Sequence, residues 1–133
     1  MSSANLTLVR EIYAAWEQGD FDQTDWAHPD LEFVMPGSFE GPQVHRGVEG
    51  MRRAWREWLS AWKDFSVRAE EYSEHGDRVL VLARFSGRGK QSGLDVDNRL
   101  HASVFTVRDG KVVRLEADLD AERALAKLGL ETG

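Results

Sequence analysis

Halfway along the chain the spacing of apolar residues changes, and that change constrains the fold more than any single motif. From Leu6 the apolar positions Leu6, Val9, Ile12, Tyr13 and Trp16 recur at steps of three and four, the repeat of an amphipathic helix with one buried stripe. A second stripe, Val48, Met51, Trp55, Trp58, Leu59 and Trp62, has Arg52, Arg53, Arg56, Glu57 and Lys63 largely on its other side. Beyond it the period drops to two. Phe65–Ser73, Val79–Ser86, Asp95–Val107 and Val112–Leu119 are rich in β-branched and aromatic residues, which suit a pleated, half-buried surface. Helices first and an antiparallel meander after them predict an α+β fold, one sheet with its helices on one face. A strongly twisted sheet curls around such helices and leaves a cone with an open mouth.

Local signals set the expected boundaries. The first helix is predicted over Leu6–Gln18, capped by Ser3 or Asn5 and ended by Gly19, since a side-chain oxygen there satisfies unpaired backbone N–H groups. Phe21–His28 is expected to form one or two helical turns carrying Trp26, halted at Pro29 because the residue before proline avoids the α region. Leu31–Met35 reads as a strand, and Pro36, Gly37, Gly41, Pro42 and Gly47 punctuate a loop or loose hairpin. The long helix is predicted over Gly47–Lys63. Gly76-Asp77 and Asp109-Gly110 mark tight hairpin turns, Gly87–Gly93 a looser connection, and Asp120 the cap of a last short helix with Leu125 and Leu128, closed by Gly129.

Composition narrows the classes. With 133 residues the expectation is one domain, 1–133. Seventeen basic against 23 acidic residues leave a formal charge of −6, opposite in sign to what phosphate backbones or anionic membranes attract. The chain has no cysteine, which excludes disulfides, thiolate nucleophiles and Cys-ligated metals. Met1–Arg10 lacks a signal peptide's apolar region, and no run approaches the ~18 apolar residues of a membrane span, so a cytoplasmic location is expected. No His, Asp or Glu pair has convincing metal-ligand spacing, and no cofactor is expected.

The five tryptophans, Trp16, Trp26, Trp55, Trp58 and Trp62, with Phe33 and Phe85, are unusual for so small a core, because each indole N–H needs a partner when buried. Trp55, Trp58 and Trp62 read as the plain buried stripe of the long helix, or else Trp16, Trp26 and Trp55 line an aromatic pocket. In the second reading Trp16, Trp26, Phe33 and Trp55 form one apolar wall for a flat ligand, with Arg84 or His101 as the polar intruder. His101 is the best single candidate base, since imidazole titrates near neutral pH. Its row (Arg99, His101, Ser103, Phe105, Val107) alternates with Leu100, Ala102, Val104 and Thr106, and the second row looks more like core. That puts His101 on the solvent or dimer face. His28 and His75 sit beside a proline and a turn; only His45, before the long helix, is placed to reach a cavity mouth. Alternation sends Val113, Leu115, Ala117 and Leu119 inward and Glu116 and Asp118 outward, unless a bulge turns Asp118 inward as a second candidate base.

The order of elements and several phrases resemble the SnoaL-like polyketide cyclase group of the nuclear-transport-factor-2-like superfamily over nearly the whole chain. The carriers are Ile12-Tyr13-Ala14-Ala15-Trp16, His45-Arg46-Gly47-Val48-Glu49-Gly50, Gly87–Gly93, Val107–Val112 and Asp120–Leu125 before Gly129-Leu130. The resemblance implies a conical barrel with a small-molecule cavity between sheet and helices, and a homodimer through the sheet, with Phe105 and Val107 expected on its convex face. Limonene-epoxide-hydrolase-like members carry an Arg-x-Asp and a later Asp, where this chain has Arg78-Val79-Leu80 and Ala117, so that machinery is missing. A ketosteroid-isomerase-like reading needs an oxyanion donor, and of Tyr13 and Tyr72 only Tyr13 is placed to meet a cavity. Gly87 and Gly89 join two strands without a following helix N-terminus, so they form no phosphate loop. Two functions are therefore carried: a cofactor-independent cyclase or isomerase moving a proton on an enolisable apolar substrate, and a non-catalytic apolar-ligand or accessory module.

Overall fold

Ser3 begins the first helix as its sequence requires: its Oγ accepts from the Leu6 backbone N–H at 3.0 Å. The computed structural model describes residues 3–35, 43–118 and 122. Helix α1 spans Ala4–Glu17 and buries Val9, Ile12, Tyr13 and Trp16, with Gly19 beyond its end at φ +86°. Strands β1 (Ala27–Met35) and β2 (Gln43–Arg46) precede helix α2 (Gly47–Ser60), and β3 (Trp62–His75), β4 (Arg78–Gly89), β5 (Asp95–Arg108) and β6 (Lys111–Asp118) follow it. Of the loop or loose hairpin expected over 36–47, residues 36–42 lie outside the described residues, as does the Asp120-capped helix, while Gln43–Arg46 pair back antiparallel on β1.

Three boundaries differ from expectation. Phe21–His28 forms no helix; β1 already begins at Ala27 and runs through Pro29. Proline is tolerated there because β2 pairs only with Glu32–Met35, so on that side the Pro29 end of β1 has no ladder to interrupt. Helix α2 stops at Ser60 and Trp62 starts β3, opposite Gly89. Strand β4 continues through Gly87 and Gly89. The Trp62 indole lies over Gly87, where a Cβ would come within 3.1 Å of the ring.

The six strands form one curved, unclosed sheet in the order β2-β1-β6-β5-β4-β3. All neighbours are antiparallel except β1 and β6, which pair in parallel. Asp109 and Gly110 both take positive φ in the β5–β6 turn, as a tight hairpin needs. Helix α1 packs on β3 and β4, and α2 on β1, β2 and β3.

The sheet face toward the helices carries Val79, Val81, Ala83 and Phe85 of β4, Phe105 and Val107 of β5, and Val112 and Leu115 of β6. Phe105 and Val107 are only 0 and 2% exposed, which overturns their expected place on the convex face. They lie in the core because Phe105 meets the rings of Tyr13 and Trp16, 5.9 and 6.0 Å away. A bulge does occur in β6: Thr106 faces Arg114 but Val107 faces Val112, leaving Val113 as the extra residue. The bulge moves the inward place from Val113 to Val112. Because it precedes Glu116 and Asp118, both keep their outward phase.

Candidate functional site

Between the helices and the inner sheet face lies a cavity of about 50 Å³, walled by Tyr13 and Trp16 of α1, Phe33 and Met35 of β1, Trp55 and Trp58 of α2, and strand residues including Phe65, Phe85, His101 and Ser103. No Lys, Arg, Asp or Glu lines it among the described residues. Phe33 and Trp55 stack with ring centroids 6.1 Å apart, and Trp16 lies 5.0 Å from Trp55. Phe85 meets the His101 ring edge-on at 5.3 Å.

Polar atoms enter this space from few residues. Strand alternation brings His101 and Ser103 to one face of β5, and Ser103, a buried polar residue, hydrogen-bonds with the Tyr13 side chain. Burial raises the Tyr13 pKa well above its ordinary value, with the Ser103 hydrogen bond opposing that shift, so Tyr13 stays a neutral hydroxyl. Burial also lowers His101 from 6.5 to about 4, against the Arg99 backbone hydrogen bond, so the imidazole is neutral at pH 7. His101 Nδ1 and Trp55 Nε1 are buried without a hydrogen-bond partner among the described residues.

Trp55 also borders a second space, an outer groove of about 340 Å³ with Phe21, Asp22, Glu49, Arg52, Arg56 and Leu59. On that side Phe21 stacks on its indole at 5.1 Å. Trp55 thus borders both an apolar interior and a polar outer groove.

A sequence model of the SnoaL-like domain matches residues 9–115. The chain belongs to this SnoaL-like family. Structural comparison agrees on the fold. An NTF2-like protein of unknown function from Burkholderia pseudomallei is 20% identical at a TM-score of 0.78, over 94% of this chain and 97% of its own. TerC, co-crystallised with polyporic acid, is 24% identical at 0.73, over 95 and 98%. A candidate polyketide cyclase from Sinorhizobium meliloti is 27% identical at 0.66, over 84 and 94%. No curated protein matches significantly.

The SnoaL-like cavity gathers Tyr13, Trp16, Phe33, Trp55 and His101 from the expected site. It brings His101 inside rather than to the solvent or dimer face, because the row with Phe105 and Val107 is the core row. Trp26 is set apart: it packs edge-on behind Trp16 at 6.1 Å and donates its N–H to the Gln23 carbonyl at 2.8 Å. His45 shares the inner face with Phe33, ring to ring at 6.3 Å, but lies outside the cavity lining. Arg84 is on the opposite face from Ala83 and Phe85, bound to Glu70 and to the Asn98 carbonyl at 2.8 Å. Asp118 faces Ala102 in the ladder, beside inward Ala117, and so lies on the outer face. Trp58, Phe65 and Ser103 are lining residues that sequence reasoning left out of the site; the alternation that carries His101 inward also carries Ser103. Among the described residues no acidic or histidine cluster can hold a metal, and no helix is long and apolar enough to cross a membrane.

Proposed function

We propose that this SnoaL-like domain is a cofactor-independent cyclase or isomerase that moves a proton on an enolisable apolar substrate, with His101 as the base. The observation that carries the reading is a neutral His101 in an apolar cavity beside the Tyr13–Ser103 pair, its Nδ1 without a partner among the described residues. In the tautomer protonated on Nε2, Nδ1 takes a proton from a carbon next to a carbonyl. The C–H electron pair moves into the enolate, and the imidazolium returns the proton to a second carbon or to the oxygen. A pKa of about 4 suits this task, since the carboxylate base of ketosteroid isomerase works at about 4.6. The similarity to a candidate polyketide cyclase supports the same class of chemistry.

The test is deuterium exchange of the acetophenone methyl group in D2O, followed by NMR. The wild type is expected to accelerate exchange above buffer, and His101→Leu to lose ~100-fold or more of that acceleration. Binding of acetophenone with no exchange above buffer leaves the non-catalytic ligand-binding module as the correct reading.

The same proposal takes the protein as a cytoplasmic homodimer through the outer sheet face. Support comes from Leu82 and Leu100, apolar side chains on that face, with Leu100 36% exposed.

A further inference from the structure

A base in an apolar cavity leaves open what receives the substrate oxygen, and the hydrogen-bond inventory narrows the choice. Tyr13, the expected donor, has its oxygen hydrogen-bonded by Ser103, and Trp55 adds a second candidate donor. His101 Nδ1 is claimed by the proton it must accept. Beside His101 Nδ1, Trp55 Nε1 is the buried side-chain polar atom with no partner among the described residues, and Trp55 walls the cavity. Indole N–H is a donor only, and a buried donor left unpaired is costly, so an acceptor arriving there relieves that cost. The cavity offers no cation to balance an anion and no carboxylate to balance a cation. The interior is also smaller than the ~150 Å³ that takes benzene, and Trp55 is the wall it shares with the roomier outer groove. A ring-sized guest that reaches across this wall therefore lies against the indole whose N–H lacks a partner among the described residues.

We infer that Trp55 is the specificity-determining residue of the cavity: its Nε1–H binds the carbonyl oxygen of a neutral, planar, ring-sized ketone and rejects both the hydrocarbon and the carboxylate of the same shape. The inference rests on the cavity being the substrate site and, in setting His101 Nδ1 aside, on the proposed role of His101; Trp55→Phe tests the indole N–H directly. Between its neighbours Phe21 and Phe33 the indole stays stacked, so Trp55→Phe removes the N–H while keeping an aromatic ring in place.

The experiment titrates wild type and Trp55→Phe with acetophenone, ethylbenzene and benzoate, by calorimetry and by the ¹H–¹⁵N indole resonance absent from the variant. In the wild type acetophenone is expected to move that resonance downfield, ethylbenzene to leave its hydrogen-bond shift unchanged, and benzoate to bind at least ~10-fold more weakly than acetophenone. Trp55→Phe should weaken acetophenone relative to ethylbenzene by about tenfold. An unchanged ratio, or benzoate binding as tightly as acetophenone, overturns the inference. If none of the three probes binds, the cavity reading falls and takes this one with it. Binding with the expected ratio but without deuterium exchange overturns His101 as base and leaves Trp55 in its role.

Discussion

Phe33 on β1 and Trp55 on α2 stack 12° from parallel with centroids 6.1 Å apart. The contact ties the strand that pairs in parallel with β6 to the helix that roofs the cavity. Because Trp16 and Phe21 also touch that indole, Trp55→Ala removes one ring from a four-ring cluster. The expected cost is about 3 kcal/mol, the low end for tryptophan because the residue is half-buried, read from urea unfolding. Acetophenone affinity should fall with it. Lost stability with intact affinity means that Trp55 is packing alone and that the slot lies elsewhere.

His101 makes stability depend on pH in a defined direction. Its pKa is lowered from 6.5 to about 4 in the folded protein, so between those values the unfolded chain binds more protons and is favoured. The contribution is fully present above pH 6.5, is lost as pH falls, and levels off below about 4, amounting to about 3 kcal/mol. In His101→Leu that slope should disappear from the stability curve between pH 6.5 and 4. A variant that keeps the wild-type slope means other groups carry it.

Tyr13 and Ser103 should behave as a coupled pair. Tyr13→Phe leaves the buried Ser103 hydroxyl without its partner and should cost about 1–2 kcal/mol. Ser103→Ala should cost a similar amount for the same reason, whereas the double variant, with neither hydroxyl left, should be more stable than the sum. Additive losses in a thermal or urea cycle mean that the two hydroxyls do not interact.

On the outer face Leu100→Glu should turn a dimer into a monomer in light scattering, with unfolding of the monomer changed by no more than about 0.5 kcal/mol. A wild type that scatters as a monomer at high micromolar concentration removes the dimer from the proposal.

The change of period located the helices and the meander because burial on one face imposes it directly. What it left hidden depends on partners far along the chain. Trp62 continues the spacing of Trp55 and Trp58, and no glycine or proline separates Ser60 from it, so the end of α2 has no local mark. Both rows of β5 contain small apolar residues, and Phe105 chooses its face only by meeting Tyr13 and Trp16. The phase of β4 was more readable: Val79, Val81, Ala83 and Phe85 form one apolar row, which by itself turns Arg84 outward. Trp26 carried no outward sign that its N–H would be satisfied three residues back.

The parallel pairing of β1 with β6 joins residues as far apart as Ala27 and Val112. During synthesis β1 therefore has only β2 beside it in the sheet until β6 has been made, while β3, β4 and β5 can zip together as successive hairpins. Two half-sheets must wait for one late strand, and contacts that distant in sequence slow folding. Phe33 contributes a wall of the cavity from one half-sheet, and Phe85 and His101 contribute walls from the other. A nascent chain cut short before β6 would hold these walls apart, so the pocket is among the last features that folding creates.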